Sequence, residues 1–182
     1  RIDPLGKNSR NGKYGIPADN PFVSTPGALV EIWALGVRNP QRLGWGPSDG
    51  TMYVAEIGQN LVEEVSPVPK GGNLGWNVWE ASFRYGRGID TTIVRADKAM
   101  IYPIAEFDHT APVLTGRSAG ARVIVCRGTV VPQLRNLIIS GDNPSGEVFY
   151  VRADNPPAGG QDPIRRVLFS EGGEAGTLLQ LI

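Results

Sequence analysis

Two loops and one isolated histidine carry the residues with chemical potential. The first loop is Gly36-Val37-Arg38-Asn39-Pro40-Gln41-Arg42, where a guanidinium stands beside a carboxamide. Asn39 precedes a proline, which biases its backbone toward extended conformations. A planar guanidinium fork next to an amide suits an anionic, carbonyl-rich ligand. From composition alone, a loop in which the pair bonds backbone carbonyls is the commoner arrangement.

The second loop brings Glu56, Glu63 and Glu64 around Gly58-Gln59-Asn60. Oxygen-rich loops of this kind suit Ca²⁺, which takes carboxylate and carbonyl oxygens. No EF-hand pattern is present, so spacing alone favours a solvated acidic turn. Pro69-Lys70-Gly71-Gly72-Asn73-Leu74-Gly75-Trp76 follows, a turn ending on a large anchor, and its carbonyls are candidates to complete such a site.

His109 is the one histidine, set in Phe107-Asp108-His109-Thr110. Beside Asp108 it could serve as an oriented base, but a lone loop histidine is more often structural. Cys126 ends the run Val123-Ile124-Val125-Cys126 and reads as a small buried hydrophobe. No Gly-x-Ser-x-Gly elbow, His-Glu-x-x-His or phosphate loop occurs.

Composition excludes several classes. The 18 basic and 18 acidic residues cancel, which argues against a nucleic-acid face built by bulk charge. No apolar run reaches the ~18 residues of a membrane span. A 41% hydrophobic content is too high for a disordered chain. A single cysteine excludes an internal disulfide framework and a thiolate zinc cluster.

The elements that must position these loops are strands. No twelve-residue stretch free of Gly and Pro shows helical spacing of apolar positions. Short apolar or alternating runs recur instead: Leu29–Leu35, Arg42–Trp45, Thr51–Ile57, Glu64–Val68, Ile101–Phe107, Arg122–Cys126, Asn136–Ser140, Glu147–Arg152 and Arg165–Phe169. Between them lie turns such as Pro47-Ser48-Asp49-Gly50 and Asp142-Asn143-Pro144-Ser145-Gly146. The 24 glycines and 15 prolines of the 182 residues are mostly this punctuation. One repeat is visible. Tyr53–Ile57 leads into Gly58-Gln59-Asn60 and Glu64-Val65, while Leu137–Ser140 leads into Gly141-Asp142-Asn143 and Glu147-Val148. Each copy reads as an inner strand, a reversal and the next strand outward. Repeated short strands of this kind predict an all-β propeller. The expected layout is the end of a preceding blade over 1–35, a blade over 36–80, a loop insertion over 81–118, a second blade over 119–170, and the start of another over 171–182. The apolar run Thr177–Ile182 needs a partner strand, so both ends are expected to lie inside a longer protein.

Taken together, Gly36–Gln41, Ala55-Glu56-Ile57-Gly58-Gln59-Asn60, Glu63-Glu64-Val65 and Lys70–Trp76 resemble the glucose/sorbosone dehydrogenase family. Arg1–Pro4, Ile16–Phe22 and Ser140-Gly141-Asp142 also fit its pattern. The resemblance implies a six-bladed β-propeller, of which about two four-stranded blades and flanking strands are present. It implies pyrroloquinoline quinone and Ca²⁺ as cofactors, an aldose sugar oxidised at C1, a separate electron acceptor, and a periplasmic or secreted location. Arg38 and Asn39 match the pair that contacts the quinone. Gly58 and Gln59 match the loop whose carbonyls hold Ca²⁺. Glu64 and the carbonyl of Leu74 match a second, structural Ca²⁺ site.

Departures from the family accompany the resemblance. The family's catalytic histidine belongs to an earlier blade, so it is expected outside this chain and the chain alone is expected to be inactive. Ile57 replaces a polar residue, and the Asp142–Gly146 turn lacks a cofactor-facing lysine. No arginine-bearing strand follows Phe169. These departures keep a second reading in view: a non-catalytic extracellular propeller of the same fold, a binding module such as hedgehog-interacting proteins. A calcium-dependent lactonase-type propeller ranks third, since only Glu56 and Asn60 would serve its ion.

Overall fold

The computed structural model describes residues 1–46, 50–95, 97–116, 118–152, 163–171 and 174–176. In chain order the strands are β1 Pro40–Trp45, β2 Met52–Glu56, β3 Val62–Pro67, β4 Trp79–Glu80, β5 Phe83–Tyr85, β6 Ile89–Val94, β7 Ala105–Asp108, β8 Gly120–Val125, β9 Leu137–Asp142, β10 Val148–Arg152, β11 Arg165–Val167, β12 Phe169–Glu171 and β13 Glu174–Gly176. One 3₁₀ turn, Pro132–Leu134, interrupts them, and no α-helix occurs among the described residues.

Two four-stranded antiparallel sheets dominate, ordered β1-β2-β3-β7 and β8-β9-β10-β11. A three-stranded sheet β4-β5-β6 and a hairpin β12-β13 accompany them. The alternation of strand residues decides what lies between the large sheets. Tyr53, Ala55, Val65 and Ala105 project from the first sheet. They meet Val123, Val125, Ile138 and Val151 of the second in one buried cluster with Ile104. Each fully buried Val or Ile side chain among them contributes roughly 1.5–3 kcal/mol. β1 packs on β8 at Gly44, where a Cβ would be in ordinary contact, 3.4 Å from the Val123 carbonyl. Phe107 and Phe149 extend the contact with ring centroids 5.3 Å apart.

The opposite face of the first sheet, bearing Val54, is covered by Val68 and Leu74 with Trp33, Ala34 and Val37. That packing draws the Gly36–Gln41 loop and the Pro69–Trp76 turn onto one sheet.

The repeat seen in the sequence is real in space. β2–β3 and β9–β10 are each the second and third strands of their sheets. Tyr53–Ile57 was expected to be an inner strand, but it lies between β1 and β3, and β1 takes the first position. Three other expectations change. Leu29–Leu35 does not form a strand: Val30 and Glu31 turn, residues 32–34 are irregular and Leu35 makes an isolated bridge to Asn73, and no strand lies within residues 1–39. Within this segment Asn20 Nδ2 donates to the Arg1 and Val30 carbonyls at 2.9 Å each, and Asp3 bridges Gly15. Within 81–118, β7 is the fourth strand of the first sheet, and Trp79–Val94 builds β4–β6, so this stretch is not simply a loop. Cys126 is half-buried and free, just past the end of β8. The Thr177–Ile182 run and most of the Pro47–Gly50 turn lie outside the described residues.

Candidate functional site

Strand register gathers the motif loops at one end of the first sheet. The start of β1 pairs with the end of β2 at Pro40 and Glu56, and Glu56 stands opposite Glu64 on β3. The start of β3 pairs with the end of β7 at Val62 and Asp108. Loops 36–39 and 57–61, together with His109, therefore share this end.

Arg38 is the centre of the arrangement. Its Nε donates to Gln59 Oε1 at 2.9 Å, and its Nη1 donates to the carbonyls of Ile57 at 3.1 Å and Gly58 at 2.9 Å. Its second terminal nitrogen bonds to no protein group among the described residues, so one edge of the fixed guanidinium is left to meet an anion. The Asn39 side chain is oriented by Gln41, whose Nε2 donates to Asn39 Oδ1 at 2.7 Å. Backbone N–H groups of Arg38 and Asn39 both donate to Glu56 Oε1, the second at 3.0 Å. A buried carboxylate thus holds the backbone from which the Arg-Asn pair projects.

A cation fits this loop by one observation: the Ile57 and Gly58 carbonyls converge on a single cationic nitrogen. Two carbonyl oxygens facing one positive atom form the kind of donor set a hard cation takes. The family resemblance pointed to the carbonyls of Gly58 and Gln59. In the structure the converging carbonyls are those of Ile57 and Gly58, and Gln59 contributes its side-chain oxygen. Gly58 is required here by crowding, since a Cβ would stand 2.7 Å from Glu80 Oε1 and collide with the Val62 carbonyl.

Glu56, Glu64 and Glu106 form a row across β2, β3 and β7. Glu64 and Glu56 are buried, at 8% and 2% exposure. Burial pushes the Glu64 carboxyl well above its usual range, and the charges of Glu56 and Glu106 push the same way, against a bond from Ser66 Oγ at 2.8 Å. Burial also raises Glu56, while the N–H groups of Arg38 and Asn39 pull it back. Glu56 Oε2 is buried and receives no bond from an N–H or hydroxyl among the described residues. The positive charge that acts on the row is the Arg38 guanidinium, through Glu56. Leu74 packs on Val54, which shares the Glu56 face.

His109 is bound elsewhere. Its Nε2 lies 3.0 Å from Glu63 Oε1, and Glu63 Oε2 accepts the Gly120 N–H at 2.7 Å. Glu63 therefore ties β3 to the start of β8. The Asp142 turn is also structural: its carboxylate accepts from Ser118 Oγ at 2.8 Å, the Ala119 N–H at 2.5 Å and Ser145 Oγ at 2.6 Å. Sequence reading missed Glu80, which no motif marks.

A family model described as glucose/sorbosone dehydrogenase matches residues 3–164. This chain belongs to the glucose/sorbosone dehydrogenase family. Among curated relatives, HIPL1 protein of Arabidopsis thaliana is 35% identical over 113 residues, covering 59% of this chain and 16% of that protein. Quinoprotein glucose dehydrogenase B of Acinetobacter calcoaceticus is 44% identical over 73 residues, covering 40% of this chain and 15% of that protein. The PQQ-bound form of aldose sugar dehydrogenase from Streptomyces coelicolor matches with a TM-score of 0.58 at 14% identity, over 88% of this chain and 46% of that chain. The chain thus spans less than half the length of each. The two four-stranded sheets are blades of the family's β-propeller, and the family ties the chain to sugar dehydrogenases. No helix among the described residues is long and apolar enough to cross a membrane.

Proposed function

We propose that this chain supplies the quinone-facing and cation-facing loops of a periplasmic or secreted aldose dehydrogenase. In this reading the whole protein uses pyrroloquinoline quinone and Ca²⁺ to oxidise a sugar at C1 and passes the electrons to a separate acceptor. The observation that carries it is the Arg38 guanidinium fixed on the Ile57 and Gly58 carbonyls and Gln59 Oε1. It places a positive edge and a carbonyl-rich loop side by side.

Arg38 and Asn39 would hold the quinone, and Gly58 and Gln59 would hold Ca²⁺. Glu64 and the Leu74 carbonyl would hold a second, structural Ca²⁺. The quinone would supply a hydride acceptor for the sugar, and the ion would supply Lewis-acid assistance. The chain's own residues bind and orient. Glu56 fixes the two backbone amides beneath Arg38 and Asn39, and Gln41 sets the Asn39 amide. The Arg38 fork neutralises carboxylate charge on a ligand. His109 is engaged with Glu63 and contributes to the frame.

The test adds pyrroloquinoline quinone with Ca²⁺ to the metal-free full-length protein, follows the quinone absorbance, and then screens aldoses with an electron-accepting dye. A shifted quinone band and aldose-dependent dye reduction are expected. An unshifted band overturns the reading. A shifted band with no dye reduction supports the non-catalytic binding propeller instead, for which the structural use of the Asp142 turn is the favouring observation.

A further inference from the structure

Glu80 lies on the two-residue strand β4 and is 3% exposed. Its Oε1 accepts three consecutive backbone N–H groups, from Asn60 at 3.0 Å, Leu61 at 2.7 Å and Val62 at 2.9 Å. Successive amides converging on one point form a concave nest that holds an anion. The other oxygen, Oε2, is buried and has no partner among the described residues. All the bonds seen for this carboxylate therefore go to one loop, with none to an arginine, a lysine or a wider network. A buried carboxylate is costly unless it is compensated, and the loop's amides are what compensate it.

The direction of those amides has a consequence for the loop's carbonyls. A trans peptide is planar, so the C=O of one residue points opposite to the N–H of the next. Fixing the Asn60 N–H on Glu80 turns the Gln59 carbonyl away from Glu80. Fixing the Val62 N–H does the same to the Leu61 carbonyl, which indeed accepts from the His109 N–H at 3.1 Å on the far side. Gly58 closes against the same carboxylate, with no room for a Cβ. Glu80 is thus the pivot around which residues 58–62 are wound. It decides which way the Gln59 carbonyl faces.

We propose that Glu80 is the positioning residue of the 57–62 loop and sets its affinity for a divalent cation. The inference rests on the cation reading given above and adds the residue that orients the Gln59 carbonyl of that loop. It would touch neither ion nor quinone.

The experiment measures the Ca²⁺ concentration that half-saturates the rise in melting temperature, for the wild type, Glu80→Gln and Val151→Ala. Melting points in chelator give the purely structural loss for each. Gln keeps the shape of Glu80 but removes the charge that gathers three amides. Glu80→Gln is expected to weaken Ca²⁺ binding at least about tenfold, as loss of charge-assisted bonds implies. Val151→Ala, which thins the core between the sheets, is expected to lower the chelator melting point and leave Ca²⁺ affinity unchanged. If Glu80→Gln does not fold, Glu80→Asp, with the charge kept and the reach shortened, is measured in its place against the same tenfold criterion. Wild-type affinity in the folded Glu80 variant overturns the inference while leaving the cation reading intact. Equal affinity losses in Glu80→Gln and Val151→Ala also overturn it, since general destabilisation then explains both. A wild type that Ca²⁺ does not stabilise overturns the cation reading itself, and this inference with it.

Discussion

Leu35 and Asn73 pair side by side in an isolated parallel bridge, although they belong to motifs far apart in the chain. The Leu35 N–H donates to the Gly72 carbonyl at 2.8 Å, the Leu74 N–H returns to Leu35 at 2.9 Å, and the Trp76 N–H reaches the Gly36 carbonyl at 2.9 Å. This short ladder presses the turn over residues 72–76 against the approach to Arg38. The two glycine-rich motifs are therefore one structural unit.

Gly36 is where that unit is tightest. Its φ is +75°, and a Cβ would clash with Asn73 Oδ1 and stand 2.5 Å from the Gly75 nitrogen. Left-handed backbone costs a non-glycine residue about 1–3 kcal/mol, and the clash with backbone adds to it. Gly36→Ala is expected to destabilise by roughly 2–4 kcal/mol in urea melts. It should also weaken quinone binding, because Arg38 follows two residues later. A shift below about 0.5 kcal/mol, the range of an ordinary surface change, would show that the ladder yields freely.

Arg38 stands on the carbonyl that a cation would use. Its Nη1 occupies the Gly58 oxygen at 2.9 Å, so in the proposed reading guanidinium and metal would compete for one acceptor and repel each other. Arg38→Ala is expected to lose quinone binding by about 100-fold or more, on the scale of a charged bidentate contact, while Ca²⁺ binding without quinone stays equal or tightens. Titrating the two ligands separately checks this. Parallel loss of both would mean that Arg38 only holds the loop together. Arg38→Lys is expected to recover little, since a single ammonium cannot reach the Gln59 oxygen and both carbonyls in a fixed fork.

His109 is a frame residue by its geometry. Its Nε2 is 3.0 Å from Glu63, which is 1% exposed and also holds the Gly120 N–H. His109→Ala is expected to cost about 1–3 kcal/mol of stability by leaving a buried carboxylate short of a partner. Quinone absorbance shift and half-saturating Ca²⁺ are expected to stay at wild-type values. A variant with unchanged denaturant midpoint and lost quinone binding would reassign His109 to the site.

Much of this was legible in the sequence because strand alternation and turn residues are local signals. Tyr53, Ala55 and Val65 announced a buried face, and the paired reversals after β2 and β9 announced equivalent strands. Pairing partners were less legible, being set by packing between distant segments. Nothing in Ala105-Glu106-Phe107 states that it will close the sheet beside β3, and Leu29–Leu35 has a strand's composition but folds into a turn and irregular chain that cap Val54. The same limit applied to the site. Arg38, Asn39, Gly58 and Gln59 lie in recognisable motifs, so their meeting was foreseeable. Glu80 acts through backbone amides, which carry no sequence signature, and Glu56 supports the Arg-Asn pair in the same way.

The carboxyl row gives the loop end a pH signature. Burial, and then the Glu56 and Glu106 charges, raise the Glu64 carboxyl well above its ordinary value. The folded state therefore holds a proton that the unfolded chain releases near pH 4.3. Where the folded protein binds the extra proton, stability falls as pH rises. Glu64 thus contributes fully below the unfolded value, and that contribution is lost as pH climbs through the raised folded value. In chelator, the difference in unfolding free energy between wild type and Glu64→Gln is expected to shift steadily against the wild type from about pH 4.5 upward. It should level off once Glu64 is ionised in the folded state. Ca²⁺ held at Glu64, as proposed above, is expected to flatten the slope, because a cation favours the ionised carboxylate. A pH-independent difference between the two proteins, with and without Ca²⁺, would show that Glu64 titrates as an ordinary surface carboxylate and that the row holds neither proton nor ion.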